Sequence, residues 1–565
     1  MSDTTVTTPQ TEPYFDLGSH HRSIETPSAQ AQLWFDRGLV WAYAFNHEES
    51  IRCFERALAL DEGLAIARWG IAYAIGPNYN KAWEAFDAKD LAASLARARA
   101  ELGLAAGGRA SAVERGLIDA LATRFPTADA TDGDALTAGH ASYADAMAVL
   151  AAAHPDDLDV QALAADALMN VTAWALWDSR TGEPAPGSRV VEAKRILDDA
   201  LATEAGRRHP GVLHLYLHAM EMSTRPEDAL PAADLLRGLV PDAGHLQHMP
   251  SHIDVLCGDY RSSIVANDVA VQADRRFVDR AGPFNFYSLY RAHDLHFIVY
   301  SAMFLGHYAT ATRAAAELEA QLTPELLAIE SPPMADWLEA FVPLRVHVLI
   351  RFGRWDDLIA LPLPEDVELY CTTAATIHYG RGVAHAAKGQ LELALAEKAA
   401  FDAAYAAVPE SRYLFNNTSR DILGVAAAML DGEIAYREGR FDEAFVHLRR
   451  AIELDDSLPY DEPWGWMQPT RHAYGALLLE QGRVEDAAAV YAADLGLDPT
   501  LSRSCQHPGN VWSLHGYHEC LIRLGRDDEA IVIGQQLDIA SARADVPILA
   551  SCACRLDVGG ESCCG

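Results

Sequence analysis

The chain of 565 residues repeats one short turn pattern, in which a glycine-arginine pair precedes acidic residues and an alanine. Clear copies begin at Gly439, Gly482 and Gly525, each between segments rich in Ala and Leu. Glycine ends a helix readily because it adopts the positive φ that other residues avoid. Apolar residues recur at helical spacing, and the sequence has no alternating strand pattern of useful length. The pattern therefore predicts an all-α chain of helix pairs joined by short turns.

These turns resemble the second half of the tetratricopeptide repeat, a helix pair with a period of 34 residues. Weaker copies occur at Gly258, Gly306, Gly353 and Gly389. The resemblance covers roughly residues 30–540 and implies a right-handed α-solenoid, because one helix pair cannot bury its apolar face without a neighbour. We expect irregular segments at 105–157 and 179–190, where the repeat pattern fails.

Four regions are predicted along this solenoid. Residues 1–29 are expected to form a flexible tail and lead-in, and 30–340 an N-terminal solenoid that carries the histidine-rich segments. Residues 341–545 are expected to form a C-terminal solenoid, followed by a cysteine-rich tail at 546–565.

Two histidine pairs give the strongest indication of function. His214 and His218 are four residues apart, as are His248 and His252, so each pair shares one helix face. The second pair follows the first by 34 residues, since 248 − 214 and 252 − 218 both equal 34. Under the resemblance, the pairs occupy equivalent positions of consecutive repeats and should meet on neighbouring helices. We expect these four imidazoles to form one metal site.

The resemblance also puts these histidines on the concave wall of the solenoid. With the turn glycine as the fifteenth residue of a repeat, the second, fifth and ninth residues of the first helix line the groove. His245, His293 and His296 then occupy groove positions beside the two pairs and are candidate further ligands. Imidazole-rich ligation suits Cu, Fe or Zn, so a transition-metal ion is the expected cofactor.

Candidate catalytic residues come from the same wall and are Glu221, Asp166, His245 and Tyr300. Asp166 and Asn170 precede His214 and His218 by 48 residues. An insertion of about 14 residues would put them on the same groove positions of a 34-residue repeat. Asp166 is then a candidate ligand, partner of a ligand, or general base.

A thinner set of polar groove residues comprises Asn170, His347, His472, His515 and Glu519. Because these residue types are mixed and spread over several repeats, they favour a bound small molecule or peptide over a metal ion.

Charge and hydropathy exclude two classes of partner. The chain has 80 acidic and 45 basic side chains and a net charge of −35. Nucleic acids and anionic membrane surfaces attract clustered Lys and Arg, so we expect neither as a partner. No apolar run reaches the roughly 20 residues that a membrane-spanning helix needs. The polar N-terminal sequence does not resemble a secretory signal, so a cytoplasmic location is expected.

Four cysteines crowd near the C terminus: Cys552, Cys554, Cys563 and Cys564. Cysteines this close in sequence are poorly placed for a disulfide within the segment. We expect a soft-metal or redox-active tail rather than a fixed structural disulfide.

Three functions are consistent with these patterns. The first is a metal-binding solenoid that acts as a metal-dependent enzyme, with oxidation among its reactions, on a small molecule or peptide in the groove. The alternative is a non-enzymatic scaffold that binds a partner protein or peptide. The second alternative is a protein that handles a soft metal such as copper through the histidines and the cysteine tail.

Overall fold

The computed structural model describes residues 14–125 and 132–556. Its regular structure is almost entirely α-helical. The helices of the first half are α1 (Ala29–Tyr43), α2 (His47–Leu60), α3 (Ala65–Ile75), α4 (Ala88–Ala105), α5 (Ala112–Ala122), α6 (Gly133–Ala153), α7 (Leu158–Met169), α8 (Val190–Leu201), α9 (Pro210–Glu221), α10 (Leu230–Leu236), α11 (Gly244–His248), α12 (Pro250–Leu256) and α13 (Tyr260–Ala281).

The helices of the second half are α14 (Ser288–Leu305), α15 (Tyr308–Gln321), α16 (Pro324–Leu327), α17 (Met334–Leu338), α18 (Leu344–Arg351), α19 (Trp355–Ala360), α20 (Cys371–Ala387), α21 (Leu391–Ala407), α22 (Ser419–Arg437), α23 (Phe441–Asp456), α24 (Thr470–Glu480), α25 (Val484–Asp494), α26 (Val511–Arg523) and α27 (Asp527–Ser541). Two short strands, β1 (Tyr413–Leu414) and β2 (Asn417–Thr418), form an antiparallel hairpin. Single 3₁₀ turns occur at Trp83–Ala85, Asn170–Thr172, Gly206–Arg208, Pro226–Ala229, Glu339–Phe341 and Arg503–Cys505.

Consecutive helices pack as pairs, among them α1 with α2, α20 with α21, and α22 with α23. The three clear turn glycines, Gly439, Gly482 and Gly525, have φ values between 68° and 79°, as the turn pattern requires. The predicted all-α solenoid of tetratricopeptide-like helix pairs is confirmed.

Two segments differ from the sequence-based expectation. Much of 105–157 is helical, because Ser111 and Glu114 form a capping box that starts α5, and α6 follows. Residues 126–131 within this segment lie outside the described residues. Residues 14–28, expected in a flexible lead-in, pack on the solenoid. Tyr14 donates a hydrogen bond to Glu49 at 2.7 Å, and Arg22 donates one to Asp157 at 2.6 Å. The loop predicted at 179–190 is present and becomes helical only from Val190.

Buried apolar side chains form a continuous core from Leu17 to Cys505, with a second cluster from Ala435 to Cys554. The larger cluster crosses residue 340, and the predicted division at that point stays a prediction. Within 14–125 and 132–556, no helix is long and apolar enough to cross a membrane.

Helices that are far apart in the sequence pack against each other in the middle of the solenoid. Helix α1 packs on α9, and α14 packs on α26. The Trp512 indole N–H donates to the Met303 carbonyl at 2.7 Å. The inner faces of α9, α11, α12 and α14 are therefore covered by other parts of the chain rather than open to solvent.

Close helix crossing in the first repeats depends on glycine. A Cβ on Gly70 would lie 2.6 Å from the Phe54 ring, whereas a Cβ on Gly103 would meet no described atom within 4 Å. We expect Gly70→Ala to lower the free energy of unfolding by about 1–3 kcal/mol through overpacking. The control Gly103→Ala should leave it unchanged or raise it by up to about 1 kcal/mol. Chemical denaturation measures both, and equal stability of the two variants would contradict the packing argument.

Candidate metal centre

Six buried histidines form two groups of three, here called the first triad (His214, His218 and His245) and the second triad (His248, His252 and His293). Within each triad, one nitrogen from every ring lies within 4.8 Å of the others. His214 Nε2 is 3.2 Å from His245 Nε2, and His248 Nε2 is 2.8 Å from His252 Nε2. All six side chains are at most 6% exposed.

The triads are assembled from four helices. Helix α9 supplies His214 and His218, whose spacing of four puts them on one face. The four histidines expected at one site are divided between the two triads, and Glu221 lies within reach of His218 and His252 from both. Helix α11 ends at His248 and carries His245 as well. Residues three apart on a helix point about 60° away from each other, so His245 turns to the first triad and His248 to the second.

Hydrogen bonds orient four of the rings through Nδ1: His214 to the Tyr43 carbonyl at 2.6 Å, His218 to Glu221 Oε1 at 2.9 Å, His248 to Asn267 Oδ1 at 2.7 Å, and His252 to Glu221 Oε2 at 2.7 Å. Burial lowers the pKa of His214, His218 and His248 well below the usual value, so these rings are neutral. A neutral ring that donates through Nδ1 keeps a free lone pair on Nε2.

Glu221 joins the two triads, since its two oxygens contact His218 and His252. Accepting from both rings requires the ionised carboxylate, and desolvation opposes ionisation by raising the pKa of Glu221 to about 8. A second carboxylate, Glu462 Oε2, lies 2.7 Å from His252 Nδ1. Burial also raises the pKa of Glu462 well above its usual value. Two buried carboxyl groups thus meet at one imidazole.

Three aromatic residues with a strained backbone pack against the histidines. In the described part of the chain, the non-glycine residues with positive φ are Phe45 at 55°, Trp174 at 57° and Phe415 at 48°. Phe45 lies 4.5 Å from His214, Trp174 lies 6.0 Å from His218, and Phe415 lies 4.6 Å from His293, measured between ring centroids. Such backbone strain concentrates at functional sites.

Two loops from the C-terminal half close over the second triad. The β1–β2 hairpin carries Phe415, and the segment between α23 and α24 carries Glu462 and Met467. His296 Nε2 faces the Met467 sulfur at 2.8 Å, so His296 lies outside both triads. His293 and His296 are three residues apart on one helix, as His245 and His248 are. In both pairs this spacing directs the two rings to different places.

A sequence model of the tetratricopeptide repeat matches residues 31–64, which contain α1, α2 and the turn between them. The match identifies residues 31–64 as a tetratricopeptide repeat. The rest of the described chain continues with stacked helix pairs, several of them joined at glycine turns. A comparison with curated proteins gives no match.

Several solved structures are similar to this chain at low identity. Yeast Tom70 is 11% identical, with a TM-score of 0.32, over 90% of this chain and 99% of that chain. The APC/C hetero-tetramer Cut9–Hcn1 is 12% identical, with a TM-score of 0.31, over 84% and 74%. A human IFIT1 dimer with m7Gppp-AAAA is 10% identical, with a TM-score of 0.31, over 92% and 92%. At these scores the likeness carries no argument about ligands.

The other catalytic candidates of this repeat protein lie outside the triads. Asp166 accepts hydrogen bonds from the Tyr73 hydroxyl and the Asn170 amide, both at 2.9 Å. Asp166 and Asn170 therefore bind each other instead of a metal ligand. The Tyr300 ring packs on Phe304 at 4.6 Å.

A further group of possible ligands, His20, Asp159 and His209, is a completed hydrogen-bond network. Asp159 Oδ1 accepts from His20, His209 and Tyr43 at 3.0, 3.0 and 2.7 Å, and Arg22 donates to Oδ2 at 3.1 Å. The Asp159 carboxylate therefore already has four hydrogen-bond partners within the protein. It fixes Tyr43, whose carbonyl orients His214.

The polar groove residues of the C-terminal repeats are largely occupied by the protein itself. His472 contacts Asp494 at 2.9 Å and accepts from Arg351 at 3.0 Å, and His347 packs on Trp466 at 4.9 Å. His515 is partly buried.

The C-terminal segment, residues 544–556, lies along this groove. Arg555 donates to both oxygens of Glu519 at 2.6 and 3.0 Å, and Arg351 donates to the Ser551 carbonyl at 3.3 Å. Cys552 and Cys554 form a disulfide, although their spacing in the sequence argued against one, and a redox-active role for the tail stays a prediction. Their Cα separation of 5.3 Å lies in the range of about 4.4–6.8 Å that disulfides need. Cys563 and Cys564 lie outside the described residues.

The contact between Arg555 and Glu519 should hold this segment in place. We expect Arg555→Ala to speed amide hydrogen exchange of residues 544–556 about tenfold, which corresponds to roughly 1.4 kcal/mol. The control is Arg543→Ala, an exposed arginine immediately before this segment. Equal exchange in the two variants would show that the bidentate pair does not fix the segment.

Proposed function

We propose that this chain binds two transition-metal ions, one in each histidine triad, and acts as a metal-dependent enzyme on a small molecule. The observation that carries the proposal is the pair of Nε2 atoms of His248 and His252, which face each other at 2.8 Å. Both rings have an oxygen acceptor at Nδ1, so two lone pairs point at the same dry space. A metal ion beside the two nitrogens would accept both lone pairs.

The distances fit ligands of a common ion. Metal–nitrogen bonds of about 2.0–2.1 Å put two nitrogens of one ion about 3 Å apart. The observed separations are 2.8 Å in the second triad and 3.2 Å in the first. His218 Nε2, His245 Nδ1 and His293 Nδ1 have no hydrogen-bond partner among the described residues, although they are buried. Unpaired buried nitrogens are costly unless they bind something.

The donor set indicates the kind of ion. Neutral imidazoles suit Cu, Fe and Zn. A triad leaves a coordination position open, and an ion held in this way would polarise a substrate or activate water or O2. Glu221 and Glu462 lie beside the ligand rings, and bound cations would favour the ionised form of both carboxyl groups. The Tyr43 carbonyl and the Asn267 amide orient the ligand rings, while Phe45 and Phe415 keep water away.

Protein interaction is a second candidate function. The repeat scaffold supports such a role, and residues 544–556 already pack against the last repeats through Arg555 and Glu519. Handling of a soft metal by the cysteine tail receives less support, because Cys552 and Cys554 are joined in a disulfide. A peptide or protein partner and a small-molecule substrate need not exclude each other, since the groove and the triads are separate.

Metal content tests the proposal directly. We expect the protein, purified without a histidine tag, to contain about two transition-metal ions per chain by mass spectrometry of the dissolved metal. Each of the variants His214→Ala and His248→Ala should retain about one ion, and the double variant none. The control His378→Ala removes a histidine that pairs with Glu397, away from the triads. A metal-free parent protein that takes up no added Cu, Fe or Zn would refute the proposal.

Glu221 should matter for both ions because it orients one ligand in each triad. In Glu221→Gln, only one side-chain atom can accept a hydrogen bond, so one of the two rings loses its orientation. We expect a loss of metal affinity of about 10–100-fold for at least one ion. Competition with a chelator measures the affinity, and Glu433→Gln, a buried glutamate paired with Arg437, is the matched control. Equal affinities in both variants would contradict the role of Glu221.

A further inference from the structure

A cavity of about 200 Å³ lies beside the first triad. Helices α2, α3 and α4 form one side of it, and the segment that leads into α14 forms the other. Its wall includes Phe45, His47, Asn78, Phe286, Tyr287 and Tyr290. Cavities that hold drug-sized ligands measure about 300–1,000 Å³, so this one suits a smaller molecule.

Two aromatic rings form the partition between the cavity and the histidines. The Phe45 ring lies 4.5 Å from His214 and 5.4 Å from His245, and the Tyr290 ring lies 4.8 Å from His245. Phe45 therefore touches the cavity on one face and the first triad on the other. Its φ of 55° holds the ring in this position at a backbone cost.

The lining has no uncompensated charge to meet a charged ligand. Lys81 pairs with Asp90 at 2.8 Å and lies over the Phe86 ring at 3.9 Å. Glu48 accepts a hydrogen bond from the Phe286 backbone N–H at 3.1 Å. Asn78 Nδ2 lies 3.4 Å from the His47 ring and is one of the polar groups in the wall. The wall thus offers aromatic faces and a few neutral polar groups.

We propose that this cavity binds a small uncharged molecule, with a flat apolar body and one polar group, and that Phe45 controls its passage to the first triad. The inference deepens the proposed function, because the ion of the first triad is what the molecule would reach. The flat body packs between Tyr287, Tyr290 and Phe45. The polar group accepts a hydrogen bond from Asn78 Nδ2, because Asn78 Oδ1 already accepts from two backbone N–H groups at 2.9 Å.

Binding in the cavity is tested with 4-fluorophenol and the full-length protein after metal removal. We expect the fluorine signal of the probe to broaden and shift in the parent protein. Ile51→Trp fills the cavity and should weaken binding at least tenfold. The control Ile452→Trp changes another partly buried isoleucine that does not line the cavity and should bind as the parent does. Equal binding by both tryptophan variants, or no binding by the parent, would overturn the inference.

The role of Phe45 has its own measurement, the rate at which a chelator extracts metal from the loaded protein. We expect Phe45→Ala to raise this rate at least tenfold and Phe45→Leu to raise it less, because a smaller side chain opens the partition. Phe441→Ala, at an exposed phenylalanine, is the control and should not change the rate. An unchanged rate in Phe45→Ala with correct helix content would overturn the role of Phe45. A parent protein that binds no metal would refute the proposed function, while the fluorophenol result would still decide the cavity.

Discussion

The structure around the triads depends on one constraint, the burial of neutral imidazoles away from water. Each neutral imidazole has a hydrogen on only one of its two nitrogens, so a ring that donates through Nδ1 has a lone pair on Nε2. Tyr43, Asn267 and Glu221 contact the Nδ1 atoms of four rings, and the Nε2 atoms of His248 and His252 face each other at 2.8 Å. The Asn267 amide is itself fixed, because its Nδ2 donates to the Ser263 carbonyl at 2.8 Å. The network thus dictates which nitrogens are free.

In an open solenoid these rings would line a groove that is accessible to water. Here residues of the C-terminal half cover the rings and exclude water. Glu462 and Phe415 come from more than 100 residues beyond the last triad histidine, His293. The glycine turns at 439, 482 and 525 are 43 residues apart, nine more than the 34-residue period. The first of these intervals contains the loop with Glu462 and Met467, so an irregular repeat length provides the residues that close the site.

The sequence predicted the helix pairs, the turns and the convergence of α9 with α11 and α12, because helical spacing and repeat period are local properties. It did not separate His245 from His248, since the end of α11 at His248 depends on packing as well as on Pro250. Glu462, Asn267 and Phe45 carry no motif, and their contacts join residues distant in the chain. The interval of 43 residues was the one signal that pointed to an inserted loop. The expectation for Cys552 and Cys554 rested on spacing alone, which does not decide whether two Cα atoms approach.

The positive φ angles of Phe45, Trp174 and Phe415 follow from the same constraint. Each such residue costs of order 1–3 kcal/mol, which a repeat scaffold with an extensive core can offset elsewhere. An extended backbone at these positions would turn the rings away from His214, His218 and His293 and leave space for water. Water would satisfy the bare nitrogens and weaken the demand for a cation. The strained aromatic wall and the oriented imidazoles are therefore two parts of one arrangement, in which the exclusion of water leaves the bare nitrogens to whatever ligand the site binds.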